Sequence, residues 1–126
     1  LSQFHANPLQ YEQGDTLNIY QRAAQFWAVL AYAATNRQII LYSMLGKLVG
    51  MPTNALGGML EPIQTFCQKK KLPPLTVLVV QQKSGLPGIG FIAAKDIAKA
   101  QADVFNFDWI KFGAPSPDNI KKTIAK

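Results

Sequence analysis

The chain of 126 residues is 48% hydrophobic and 16% charged, with a net charge of +6 and an isoelectric point near 9.6. That is one domain's worth of chain, enough to bury roughly two thirds of its unfolded surface around a single core, and the apolar content excludes disorder. The longest apolar run, Ala23 to Ala34, is broken by Gln25 and falls short of the roughly 18 residues a membrane span needs, while the single Cys excludes an internal disulfide and fits a reducing, cytoplasmic setting.

The positive excess comes from eleven Lys and two Arg. It favours a polyanionic partner through counterion release, and nucleic acid is the partner class that basic charge and architecture together select. No signal peptide or lipidation motif is visible, so no membrane attachment is expected.

Residues 1–14 lack a steady period and are punctuated by Pro8 and Gly14, the pattern of an irregular arm. Asp15 or Thr16 then supplies a side-chain acceptor for the free amides of a first turn, predicting a helix from about Leu17 to Ala34. Tyr20, Ala23, Ala24, Trp27, Leu30 and Ala31 follow helical spacing, with Ile19, Phe26 and Ala33 on a second line. A helix apolar on two faces belongs at the centre of its domain.

Residues 39–91 carry the organising pattern of helix, tight turn, helix, strand, glycine turn and returning strand. Gln38 to Ile40 reads as a short first strand. Leu41, Met44, Leu45 and Leu48 share a helical face opposite Ser43 and Lys47, and Gly50 and Pro52 provide a left-handed cap and a stop. Thr53 is the expected cap of the next helix, which runs to about Lys70 and places Leu56, Leu60, Ile63 and Cys67 on one stripe. Cys67 therefore reads as a small core residue. Gly57 and Gly58 each cost that helix on the order of 1 kcal/mol relative to Ala. Their presence calls for a close approach, either by the preceding helix or by a nucleic-acid backbone. Lys69, Lys70 and Lys71 oppose the negative end of the helix dipole.

After Pro73 and Pro74, the β-branched run Leu75 to Val80 predicts a buried strand, and Gln81 to Gly90 has the composition of a hairpin turn with Lys83 and Ser84 at its tip. These elements together predict a mainly helical α+β domain, a winged helix-turn-helix spanning residues 1–126, with an added amino-terminal core helix and a carboxy-terminal aromatic segment. In that segment Ala94 to Asp103 is a short helix, and Phe105, Phe107 and Trp109 alternate with Asn106 and Asp108 as in a strand with one apolar face. Such a row suits a base-stacking platform or a core face; the lack of a cation before Lys111 favours the core. Residues 112–126 form a tail in which Ser116 caps a last turn and the final six residues fray.

Chemistry is limited by what is present. His5 is the only histidine, and the acidic residues are scattered, so a histidine-based metal cluster, a Ser-His-Asp triad or a nuclease carboxylate set is not expected. The glycines from Gly85 to Gly90 do not open a helix after a strand, as a dinucleotide loop must. No enzymatic activity and no cofactor are expected.

Tyr42-Ser-Met-Leu-Gly-Lys-Leu-Val-Gly50-Met-Pro52 is similar to the Tyr-Gly-x-Leu-Ala-x-x-x-Gly-x-Pro pattern of the DNA-binding domain of alkylguanine DNA alkyltransferases and alkyltransferase-like proteins. Ala55-Leu-Gly57-Gly58-Met likewise resembles that family's Ala-Val-Gly-Gly-Ala. The resemblance covers about fifty residues and implies a winged helix that presents its second helix to the minor groove, with Tyr42 near the backbone. The family's Pro-Cys-His-Arg acceptor falls on Pro74-Leu75-Thr76-Val77, so alkyl transfer is not implied, and its inserted arginine falls at Asn54.

The expected function is non-enzymatic binding of duplex DNA with weak sequence selectivity. Thr53, Asn54 and Gly57 would face the duplex, and Tyr42, Lys47, Lys83 and Ser84 would flank it. Two alternatives remain: a protein-interaction module using Met51, Met59 and Leu86, and a sensor of damaged or modified bases.

Overall fold

A computed structural model describes residues 17–88 and 91–126. The amino-terminal arm with His5, the expected caps Asp15 and Thr16, and the Ile89-Gly90 part of the glycine turn lie outside the described residues.

Helix α1 (Ile19–Thr35) is capped by Asn18, whose side chain accepts from the Gln21 amide while the Gln21 side chain accepts from the Asn18 amide. This reciprocal box satisfies two of the free amides of the first turn. Ala23, Phe26, Trp27, Leu30, Ala33 and Ala34 are buried, which makes α1 the central helix. Beyond it Arg37 takes a left-handed conformation (φ 56°). Its guanidinium hydrogen-bonds Asn106 at 3.2 Å and lies 5.4 Å from the Phe105 ring centre, interactions that hold a conformation uncommon for a residue with a Cβ.

Strand β1 (Ile40–Leu41) leads directly into α2 (Tyr42–Val49), and Gly50 ends α2 in the left-handed conformation (φ 72°). A 3-10 turn, Thr53–Ala55, then opens α3 (Leu56–Lys70). Thr53 makes no capping hydrogen bond, contrary to expectation, because it is already inside the 3-10 turn that Pro52 begins. The stripe Leu56, Leu60, Ile63 and Cys67 is buried, as its spacing predicts. Lys71, also left-handed (φ 57°), closes α3 with its amide donating to the carbonyls of Cys67 and Gln68.

The predicted strand from Leu75 to Val80 differs in the structure. Leu75–Leu78 is a 3-10 turn, and only β2 (Val79–Val80) is extended, pairing parallel with β1 in the register Ile40 to Val79 and Leu41 to Val80. The expected returning strand is represented among the described residues by one antiparallel bridge, Val80 to Pro87. Pro87 has no amide hydrogen, so it cannot donate to extend that ladder. A tight turn over residues 82–86 thus stands where an antiparallel wing was expected, and the architecture is mainly helical α+β with a two-stranded parallel sheet.

The carboxy-terminal third also departs from the pattern reading. Helix α4 (Ile97–Asn106) extends through Phe105, and a short helix α5 (Trp109–Phe112) follows, so the alternating aromatics are not a strand. Asp108 caps α5 through the Lys111 amide at 3.0 Å, and the Trp109 indole donates to the Val104 carbonyl at 2.7 Å. The aromatics pack inward: Trp27 meets Phe66 and Trp109 edge-on at 5.4 and 5.6 Å between ring centres. The expected tail is α6 (Pro117–Ala125), capped by Ser116 and packed against α1 and α3 with Ile120 fully buried. Docking of Ile120 and Thr123, one helical turn apart, orders a segment too polar to signal burial by composition.

Candidate nucleic-acid interface

Tyr42 and Ser43 come from the start of α2, Thr53 and Gly57 from the entry to α3, and Gln81, Gln82, Lys83 and Gly88 from the turn after β2. Together with Leu41 they line a groove of about 540 Å³, a volume in the range of small-ligand clefts. The parallel pairing of β1 with β2 explains this convergence. It fixes the start of α2 beside the turn that leaves β2, although the two are separated by some forty residues.

Of the residues expected at the interface, Tyr42, Thr53, Gly57 and Lys83 meet in this groove. Asn54 is exposed beside Thr53 without lining it, and Lys47 is exposed further along α2. Ser84 is also exposed, but its hydroxyl accepts from the Leu86 amide at 3.1 Å and so shapes the turn. Sequence reasoning missed Ser43, Gln81, Gln82 and Gly88. The two glutamines had a readable signal, because they follow the buried Val79-Val80 pair and precede Lys83 at the start of a turn.

The glycines fall into two kinds. A Cβ at Gly88 would lie 2.6 Å from the Tyr42 hydroxyl oxygen, so a side chain at residue 88 would make the end of the Tyr42 side chain shift. At Gly57 and Gly58, in contrast, an added Cβ meets nothing within 4 Å among the described residues, and both residues are exposed. The preceding helix therefore does not require them to be small, which removes one of the two sequence-based explanations.

Charge is distributed unevenly. Between residues 36 and 95 Arg37 and six lysines stand against a single carboxylate, Glu61, so this span contains essentially the entire net charge. Lys83 lines the groove, whereas Lys69, Lys70 and Lys71 lie at the opposite end of α3, roughly 20 Å away along its axis. The ion pairs Lys99 to Asp103 (2.9 Å) and Lys122 to Asp118 (3.6 Å) both lie on the carboxy-terminal helices.

Cys67 is remote from this chemistry. Burial pushes its thiol from 9.0 up to about 11, opposed by a hydrogen bond with the Leu75 backbone, so the nucleophilic thiolate is disfavoured. Among the described residues no group of three His, Cys, Asp or Glu is placed to hold a metal ion, and no helix is long and apolar enough to cross a membrane.

Comparison with known proteins finds no matching family model, no similar curated protein and no similar solved structure.

Proposed function

We propose that this chain is a non-enzymatic duplex DNA-binding protein that lays the Thr53 to Gly57 ridge against a sugar-phosphate strand. The observation that carries the reading is the open face of Gly57, a helix-weakening residue that no part of the described protein requires to be small, at the edge of a groove also lined by Tyr42, Thr53 and Lys83. Hydroxyls from Tyr42, Ser43 and Thr53 donate to phosphate oxygens, and Lys83 supplies charge. Asn54, exposed beside the ridge, is the side chain available to read a base edge. The α2-turn-α3 unit with its following turn acts as a helix-turn-helix with an abbreviated wing, in keeping with the alkyltransferase-like resemblance of the same residues.

Titration of a labelled duplex in about 50 and 200 mM salt tests this reading. Wild-type affinity falls steeply with salt, and Lys83→Ala binds more weakly at both concentrations with a salt slope shallower by about one. Affinity independent of salt rejects the phosphate-based mechanism.

A second reading, a protein-interaction module, has its own support. Met44 and Leu48, one turn apart on α2, are 50% and 62% exposed, and Leu86 on the turn is 51% exposed. Met51 and Met59 are instead half-buried against the core. A complex with a protein partner that survives high salt and is lost in Leu48→Asp or Leu86→Asp favours this reading over DNA.

A further inference from the structure

Helix α3 meets positive charge at both of its ends. Its entry stands at the groove with Lys83, and its exit carries Lys69, Lys70 and Lys71, all exposed and none in an ion pair among the described residues. The helix dipole accounts for cations in the last turn, where Lys69 and Lys70 already stand. Lys71 lies beyond that turn in the left-handed conformation (φ 57°), where glycine makes the easier stop because it has no Cβ to crowd the backbone. Ending the helix therefore explains a residue at this position but not a third charge.

Between the two ends the charge reverses. Gly57, Glu61, Thr65 and Gln68 share the helical face that joins them, and Glu61, exposed on that face, is the only carboxylate between residues 36 and 95. A phosphate strand continuing from the groove along α3 would pass it, and like charge opposes that path. The ends of α3 are thus two separate cationic poles, roughly 20 Å apart. We infer that the pole at residues 69–71 takes the phosphates of a second DNA segment, so that one molecule of this protein holds two duplexes together. The inference rests on the reading of the groove as a sugar-phosphate site.

Capture on beads tests it. Beads carrying a biotinylated duplex are loaded with protein below saturation at low salt, washed, and offered a labelled duplex of the same sequence without biotin. Wild type is expected to capture the labelled duplex, and the combined Lys69→Gln, Lys70→Gln and Lys71→Gln variant to lower capture by about fivefold or more. The same variant binds a single dilute duplex, read by anisotropy, within about twofold of wild type, because the groove is unchanged. A charge-matched variant with Lys99→Gln, Lys111→Gln and Lys126→Gln, positions outside α3 and the groove, keeps most of the capture. Thermal melts establish that both variants fold.

No capture by wild type overturns the inference while leaving DNA binding at the groove intact. Capture undiminished in the 69–71 variant assigns bridging to self-association, and equal loss in the charge-matched variant assigns it to overall charge; either result overturns the inference. Weakened binding of a single dilute duplex by the 69–71 variant, with a salt slope shallower by about three, shows one continuous contact surface and overturns the separate poles. Absence of salt-dependent binding to every duplex overturns the groove reading and this inference together.

Discussion

Gly46 and Gly57 are the same residue in adjoining helices, and opposite surroundings explain them. At Gly46 an added Cβ would lie 2.6 Å from the Met51 carbonyl oxygen, so the turn between α2 and α3 can close only over a residue without a side chain. At Gly57 the same addition meets nothing among the described residues. The interior accounts for the first glycine; the second weakens its helix with no return from the other described residues. Where the fold does not require a residue that is unfavourable to it, an external partner is the physical explanation to test, and the groove beside Gly57 is where that partner would lie.

Perturbing the scaffold should cost much more stability than perturbing the groove. The largest effect is expected for Ile120→Ala, which empties a fully buried position on α6 and should destabilise by about 2 to 5 kcal/mol in denaturant unfolding. A loss below about 0.5 kcal/mol would mean that the last helix is not part of the core. Next comes pH. The Cys67 thiol is raised in the folded protein to about 11, so the unfolded chain ionises first as pH rises. Its contribution to stability is complete below about pH 9, where both states hold the proton, and is lost between there and about pH 11. The loss totals roughly 2 to 3 kcal/mol. Comparing unfolding midpoints of wild type and Cys67→Ala at pH 8 and pH 10.5 isolates this term, and parallel curves would refute it.

Gly46→Ala follows, at about 1 to 3 kcal/mol, because backbone must shift to admit the methyl. The smallest effects, of opposite sign, belong to Gly57→Ala and Gly58→Ala. Both should gain up to about 1 kcal/mol, since Ala is the better helix former and no described residue obstructs it. Loss of stability in either would show that the helix entry needs glycine for its own geometry.

The same contrast separates what the sequence discloses from what it does not. Local signals were legible: the periodicity of α1, the Gly50-Met51-Pro52 stop, the buried stripe through Cys67 and the Ser116 cap all act within a few residues. The pairing of Ile40 with Val79 joins distant segments, and two-residue strands carry no periodicity that could announce it. The β-branched run from Leu75 was misleading because burial, rather than strand geometry, selects those side chains; a 3-10 turn buries Leu75 to Leu78 equally well. Alternation at Phe105, Phe107 and Trp109 was likewise produced by the end of one helix and the capped start of another. Of the groove's lining, Thr53, Gly57 and Lys83 were singled out from residue chemistry and Tyr42 from the family resemblance, whereas Gln81, Gln82 and Gly88 depend on the turn geometry that follows β2.

The most direct measurement is the duplex affinity of Gly57→Ala beside Gly58→Ala and wild type at fixed low salt, by anisotropy of a labelled duplex. Only residue 57 lines the groove. A sugar-phosphate strand packed against it predicts that Gly57→Ala weakens binding about tenfold despite its greater stability, with Gly58→Ala close to wild type. Equal affinities for all three would contradict the account.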